Sequence, residues 1–302
     1  MTTNPTLLMI NTFGTLFVIT NTLALGLRVQ VGQLLEHFFQ HWKLAAWVLL
    51  INFVILPALI IGFAALVPIP SDIKIGYCIV ALVAGMPFAP LLTRLAKGNV
   101  ALAGTLTLVL IVVTTIVVPL ALSPIVSAVV PGVAYIPIWD AAWPFLVFVL
   151  VPMAIGCVVR LRYPEVAVSW ARPLQIIMIA CLLLYANLFL FSSWNLFVSA
   201  WGSGTYIAAF AVPILGIALG SIISRKDVET RHACEISTAQ RSIGGAIIVT
   251  VFMYTQPIAN VSVTIINFVG IVILLVLSLE WGRAQARRSV EAEAAVSAES
   301  VG

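Results

Sequence analysis

An apolar run of at least about twenty residues recurs nine times along this chain, at 6–27, 43–67, 74–96, 100–123, 141–160, 173–195, 204–224, 230–254 and 258–281. A helix rising 1.5 Å per residue needs roughly 20 such residues to cross a ~30 Å hydrocarbon layer. Inside lipid, only a helix satisfies its own backbone over such a run. The runs therefore predict an all-α polytopic membrane protein with nine transmembrane helices. Composition agrees: 62% of the 302 residues are hydrophobic, 9% are charged, and the mean hydropathy is +1.15. A soluble domain carries about 25% charged residues. The formal net charge of +4 lies mostly in short clusters between the runs, which speaks for a lipid bilayer as partner and against nucleic acid.

Those clusters orient the bundle. Arg28 and Lys43, Arg94 and Lys97, Arg160, Arg162 and Arg172, Arg225, Lys226 and Arg231, and Arg283, Arg287 and Arg288 all fall on one side of a nine-span arrangement. The other side keeps Lys74, beside Asp72. The positive-inside rule then places the N-terminus outside and the C-terminus in the cytoplasm of a plasma (inner) membrane. The first run has no basic residue before it and continues into Arg28, so it is expected to be a retained span rather than a cleaved signal. Trp42, Trp139, Trp143, Trp201 and Trp281 lie near span ends, as interfacial anchors do. Cys78, Cys157, Cys181 and Cys234 have no metal or redox spacing and read as small buried residues. Residues 1–123 and 124–282 form two halves of four and five spans. Residues 283–302 form a polar cytoplasmic tail, disordered or a frayed helix.

Two spans cannot be regular helices. The third contains Gly85-Met86-Pro87-Phe88-Ala89-Pro90, and two prolines three apart remove two amide donors, so a break is expected near 85–92. The eighth contains Ser242-Ile243-Gly244-Gly245, with a break expected near 240–246. Matched breaks in two halves point to a transporter site at an inverted-repeat interface, where discontinuous helices cross. Arg241 sits within the second break. Ten helical residues beyond Arg231 put it roughly 15 Å deep, where an arginine costs at least ~2.5–3.5 kcal/mol. Such a residue faces a cavity or a partner. Its guanidinium fork suits a carboxylate or phosphate; the alternatives are a pairing with Glu235 or with backbone carbonyls. His232 reads as an interface residue, while Glu235 needs a partner or a proton.

These runs resemble the bile acid:sodium symporter superfamily. Thr93-Arg94-Leu95-Ala96-Lys97-Gly98-Asn99-Val100-Ala101-Leu102-Ala103 is similar to its T-x-LAKGDVALS signature, and Leu50-Ile51-Asn52-Phe53-Val54-Ile55-Leu56-Pro57 to an LQFLVMP stretch. Gln240 stands where the family has a glutamine in its second broken helix. The resemblance implies a core domain crossed by two discontinuous helices and a panel domain moving against it, in a nine-span form without the first helix of the ten-span type. It also implies sodium ligands that this chain has largely lost. The family's Ser-Asn pair is Ala89-Pro90 here, a later serine is Ala103, and an acidic residue is Ile236. Thr107, Gln240 and Asn52 keep oxygens, while Glu235 is one position, about 100° of helix, away from the acidic one. Arg241 replaces the family's asparagine, a fixed cation where sodium would otherwise supply charge.

The reading is a secondary transporter of a small organic anion, bile-acid-like, steroid or carboxylate, with sodium or a proton left open as coupling ion. Arg241, Gln240, Ser242, Asn267, Asn52 and Thr93 are the expected substrate contacts; Thr107, Gln240, Asn52 and Glu235 are the expected ion-coupling set. The alternatives are a proton-coupled, auxin-efflux-like or arsenite-like carrier of the same plan, or a sensor with a transporter fold. Intramembrane enzymes are disfavoured, because paired acids or a Ser/His pair inside the spans are missing.

Overall fold

The structure is a computed structural model that describes residues 5–29, 31–225 and 227–299; Lys226 and residues 300–302 lie outside the described residues. Among the described residues it is all helix. In chain order the helices are α1 (Pro5–Arg28), α2 (Val31–Gln40), α3 (Trp42–Leu66), α4 (Ser71–Leu82), α5 (Ala89–Leu95), α6 (Val100–Val129) and α7 (Ile138–Arg162). They continue with α8 (Pro164–Ser192), α9 (Trp194–Ser199), α10 (Thr205–Ile223), α11 (Val228–Ala239), α12 (Ile243–Phe252) and α13 (Pro257–Glu299). Seven of these (α1, α3, α6, α7, α8, α10 and α13) are long and apolar enough to cross a membrane. The third and eighth expected spans are each divided, into α4 with α5 and α11 with α12.

The first break sits slightly earlier than the sequence suggested, and the second is shorter. Residues 83–88 separate α4 from α5, because Pro90 is absorbed into the first turn of α5, where a missing N–H costs nothing. Only Gln240, Arg241 and Ser242 separate α11 from α12. Ser242 caps α12 by accepting from the Gly245 N–H at 3.1 Å, so Gly244 and Gly245 are helical. The bare backbone of Gly245 admits Val83, which a Cβ there would meet at 3.3 Å. Gly85 is the residue that needs its freedom, at φ +80°. Asp227 starts α11. Its carboxylate accepts from the Glu229 and Thr230 amides, and hydrogen bonding, led by the Thr230 side chain, holds it below the usual carboxylate range.

The broken helices form the centre. Every residue from Ile75 to Met86 and from His232 to Thr250 is buried, the polar His232, Glu235, Ser237 and Thr238 of α11 included. α10 covers α11 by glycine contact. A Cβ on Gly220 would stand 2.7 Å from Glu235 Cα, and one on Gly216 would stand 2.9 Å from Ala239 N. Outside this core, Ile116, Ile176 and Ile207 are exposed, the expected surface toward acyl chains. α3 carries a π turn at Ile51–Ile55, just before Pro57, whose missing N–H cannot close an α-helical bond. The tail differs from the disordered alternative: α13 continues to Glu299, and its Ala- and Glu-rich sequence favours helix.

Candidate functional site

The two breaks meet in an antiparallel bridge between Ala84 and Arg241. A helix end leaves its last carbonyls without intrahelical partners, and at the end of α4 those of Ile79, Val80 and Ala81 can be followed. Ile79 O accepts from Val83 N at 3.1 Å. Ala84 N, which a continuing helix would send to Val80 O, donates instead to Thr114 Oγ1 at 3.1 Å. Val80 O therefore accepts from Arg241 Nε at 2.8 Å, and Ala81 O accepts from Arg241 Nη2. Val83 O accepts from Ser242 N at 3.3 Å, and Ala84 O from Thr114 Oγ1 at 3.0 Å. Arg241 Nη1 donates to Asn52 Oδ1 at 2.9 Å, and the Asn52 amide donates back to Val48 O at 2.9 Å. The π turn in α3 carries Asn52 to this point. Arg241 is 2% exposed, and its guanidinium lies wholly among neutral oxygens.

Thr114 serves both backbone groups of Ala84 from α6. Thr114→Val orphans a buried N–H and a buried C=O, at ~1–3 kcal/mol each. A drop in apparent melting temperature of roughly 5–10 °C in detergent is expected. Thr115→Val loses only a bond to Ile111 O within its own helix, at 2.9 Å, and should change the melting temperature by less than about 3 °C. Equal effects from both would remove Thr114 from this role.

The other expected site residues are dispersed. Gln240 donates to Arg241 O at 3.2 Å, and its Oε1 is buried without a partner. Thr93 and Thr107 bond carbonyls of their own helices, Ala89 O at 2.8 Å and Ala103 O at 2.7 Å. Asn267 borders a small void of about 10 Å³ with Tyr185 and Asn260, room for roughly one water. Glu235 does not reach Arg241. Its carboxylate lies 2.9 Å from His232 Nδ1 and 3.6 Å from Arg231 Nε, and the His232 ring stacks on Trp281 at 4.6 Å.

The large opening lies elsewhere. A cleft of about 570 Å³ runs between α1 and α8 on one side and the first break, α5 and the start of α6 on the other. Pro87 and Phe88 border it, together with the polar side chains of Asn21, Arg28, Arg94, Thr105 and Gln175. Among the described residues, no carboxylate lines it. Arg28 donates to Gln175 Oε1 at 2.5 Å. Asn21 is 3% exposed and its Oδ1 has no partner. The Asn21 amide nitrogen stands 3.8 Å from where a Cβ on Gly244 would sit, so the inner end of the cleft approaches the start of α12. None of the six expected substrate contacts lines this cleft in this state. Arg28 and Arg94 carried a signal that was read as topology. Asn21, Thr105 and Gln175 carried only the weak one of a polar residue inside an apolar run.

Comparison with curated proteins gives no match. The family model described as the Sodium Bile acid symporter family matches residues 15–201, which take in α3 with Asn52, the first broken helix, α6 and the cleft walls. With a match over more than half of its length, this chain belongs to the Sodium Bile acid symporter family, membrane transporters and not enzymes.

Proposed function

We propose that this transporter carries a small organic anion by alternating access in a bundle of nine spans, seven continuous and two broken. The observation that carries the reading is the cleft: among the described residues, two guanidinium groups and no carboxylate, with the first break in one wall. Its volume suits a bile-acid-like, steroid or carboxylate ligand. Basic residues gather on the side to which Arg28 and Arg94 belong, which supports a cytoplasmic opening and an outside N-terminus. The antiparallel meeting of α4–α5 with α11–α12 supports inverted halves over 1–123 and 124–282, ahead of the 283–302 tail. It also supports a core built around the breaks, with a panel of α1, α7 and α8, where α1 packs mainly on α7 and α8. Ser242, Gln240, Asn52, Thr93, Asn267 and Arg241 do not line the cleft, so a contact of theirs with substrate belongs to another state of the cycle. A second reading, coupling to a proton, is favoured by the buried His232–Glu235 pair beside Arg231.

The test is uptake of a panel of labelled organic anions into proteoliposomes under sodium, potassium and proton gradients. Saturable uptake of an anion is expected, with no uptake of amines of matching size. Preference for the amines overturns the anion reading. Acceleration by an inward proton gradient selects the second reading of the coupling ion.

A further inference from the structure

The three oxygens around the Arg241 guanidinium are all neutral and buried, and two of them are carbonyls at the C-terminal end of a half-helix, which carries partial negative charge. The third is the carboxamide oxygen of Asn52. The carboxylate closest in sequence, Glu235, is taken by His232 and Arg231. The cradle therefore holds one positive charge with no anion to cancel it, which is how neutral oxygens hold a monovalent cation. Removing the side chain leaves Val80 O and Asn52 Oδ1 with no other hydrogen bond to accept, around a void of guanidinium size.

We propose that the end of α4, with Asn52, is a monovalent-cation site whose occupant is the chain's own Arg241, and that this tethered cation frees the crossover from any need for sodium. The proposal rests on the transport reading for its purpose, but not for its chemistry. An arginine that merely filled space would be replaced by bulk. An arginine acting as a cation is replaced by a free cation.

The experiment follows the melting of purified protein without substrate, in choline, sodium or guanidinium chloride. Guanidinium is kept at about 50 mM, far below its denaturing range. Wild-type protein is expected to melt alike in choline and sodium. Arg241→Ala should melt roughly 10 °C lower in choline and regain most of that loss in guanidinium. Arg241→Met, which fills the void without charge, should not regain it. Stabilisation of the wild type by sodium overturns the proposal, as does an alanine variant indifferent to guanidinium or rescue of the methionine variant to the same degree. Should Arg241→Ala yield no folded protein, Arg241→Lys takes its place. It keeps the charge and should melt alike in choline and sodium, and stabilisation by sodium again overturns the idea. The anion reading fails separately, through absence of anion uptake by the wild type.

Discussion

Replacing Gly216 by leucine is expected to leave almost no folded protein, with the monodisperse peak in size-exclusion chromatography reduced more than about tenfold. The cause is backbone against backbone. A Cβ at Gly216 would stand 2.9 Å from Ala239 N and 3.0 Å from Thr238 O, closer still to Ala239 Cα, and no rotamer relieves it. α10 would have to move off α11, carrying with it the end of the helix that presents Gln240 and Arg241. Ordinary overpacking costs about 1–3 kcal/mol; forcing a helix pair apart reaches the ~5 kcal/mol that is the lower range of total stability. Gly62→Leu is the control, since nothing lies within 4 Å of a Cβ there, and it should give a wild-type peak. A normal yield of the Gly216 variant would mean that α10 and α11 can slide, and the rigid crossover would have to be given up.

The second large effect concerns the cleft. The double variant Arg28→Gln with Arg94→Gln should lower the apparent affinity for a transported anion about 100-fold, taking ~1.5–3 kcal/mol for each charged hydrogen bond and discounting for exposure at the rim. Lys97→Gln removes a neighbouring exposed cation that does not line the cleft, so it should change affinity by less than about twofold. Uptake titrations at low and high ionic strength separate the cases, because rim charges weaken as salt rises. If Lys97→Gln matches the double variant, general surface charge and not the cleft attracts the anion.

Much of the plan was legible because it rests on hard constraints. Nine apolar runs, Pro87 and Pro90, and the LAKG-like run each state what a backbone in lipid can do, and together they gave the family and both breaks. The exact register was not legible, since Pro90 is as acceptable in a first turn as in a gap, Gly244 and Gly245 are helical, and Gly245 serves close packing instead of a bend. That Arg241 falls inside a broken span followed from counting residues. Its direction did not, because the partners are carbonyls of Val80 and Ala81, and carbonyls leave no trace in a side-chain pattern. Arg28 and Arg94 show the opposite difficulty: a charge that orients a helix and a charge that lines a cleft look identical in sequence. Glu235 turned toward His232 three residues earlier, one helical turn from the crossover, where a linear reading kept both neighbours open.

The partner of Ala81 lies 160 positions further along the chain. At roughly 5–20 residues synthesised per second, α4 therefore waits about 10–30 s before Arg241 leaves the ribosome. For that interval the carbonyls of Val80 and Ala81 lack the donor that Arg241 supplies in the finished protein. The first half of this chain is thus expected to reach its final packing only once the last quarter arrives. Truncation anywhere before residue 241 should leave a product recognised as unfinished, however many complete helices it contains.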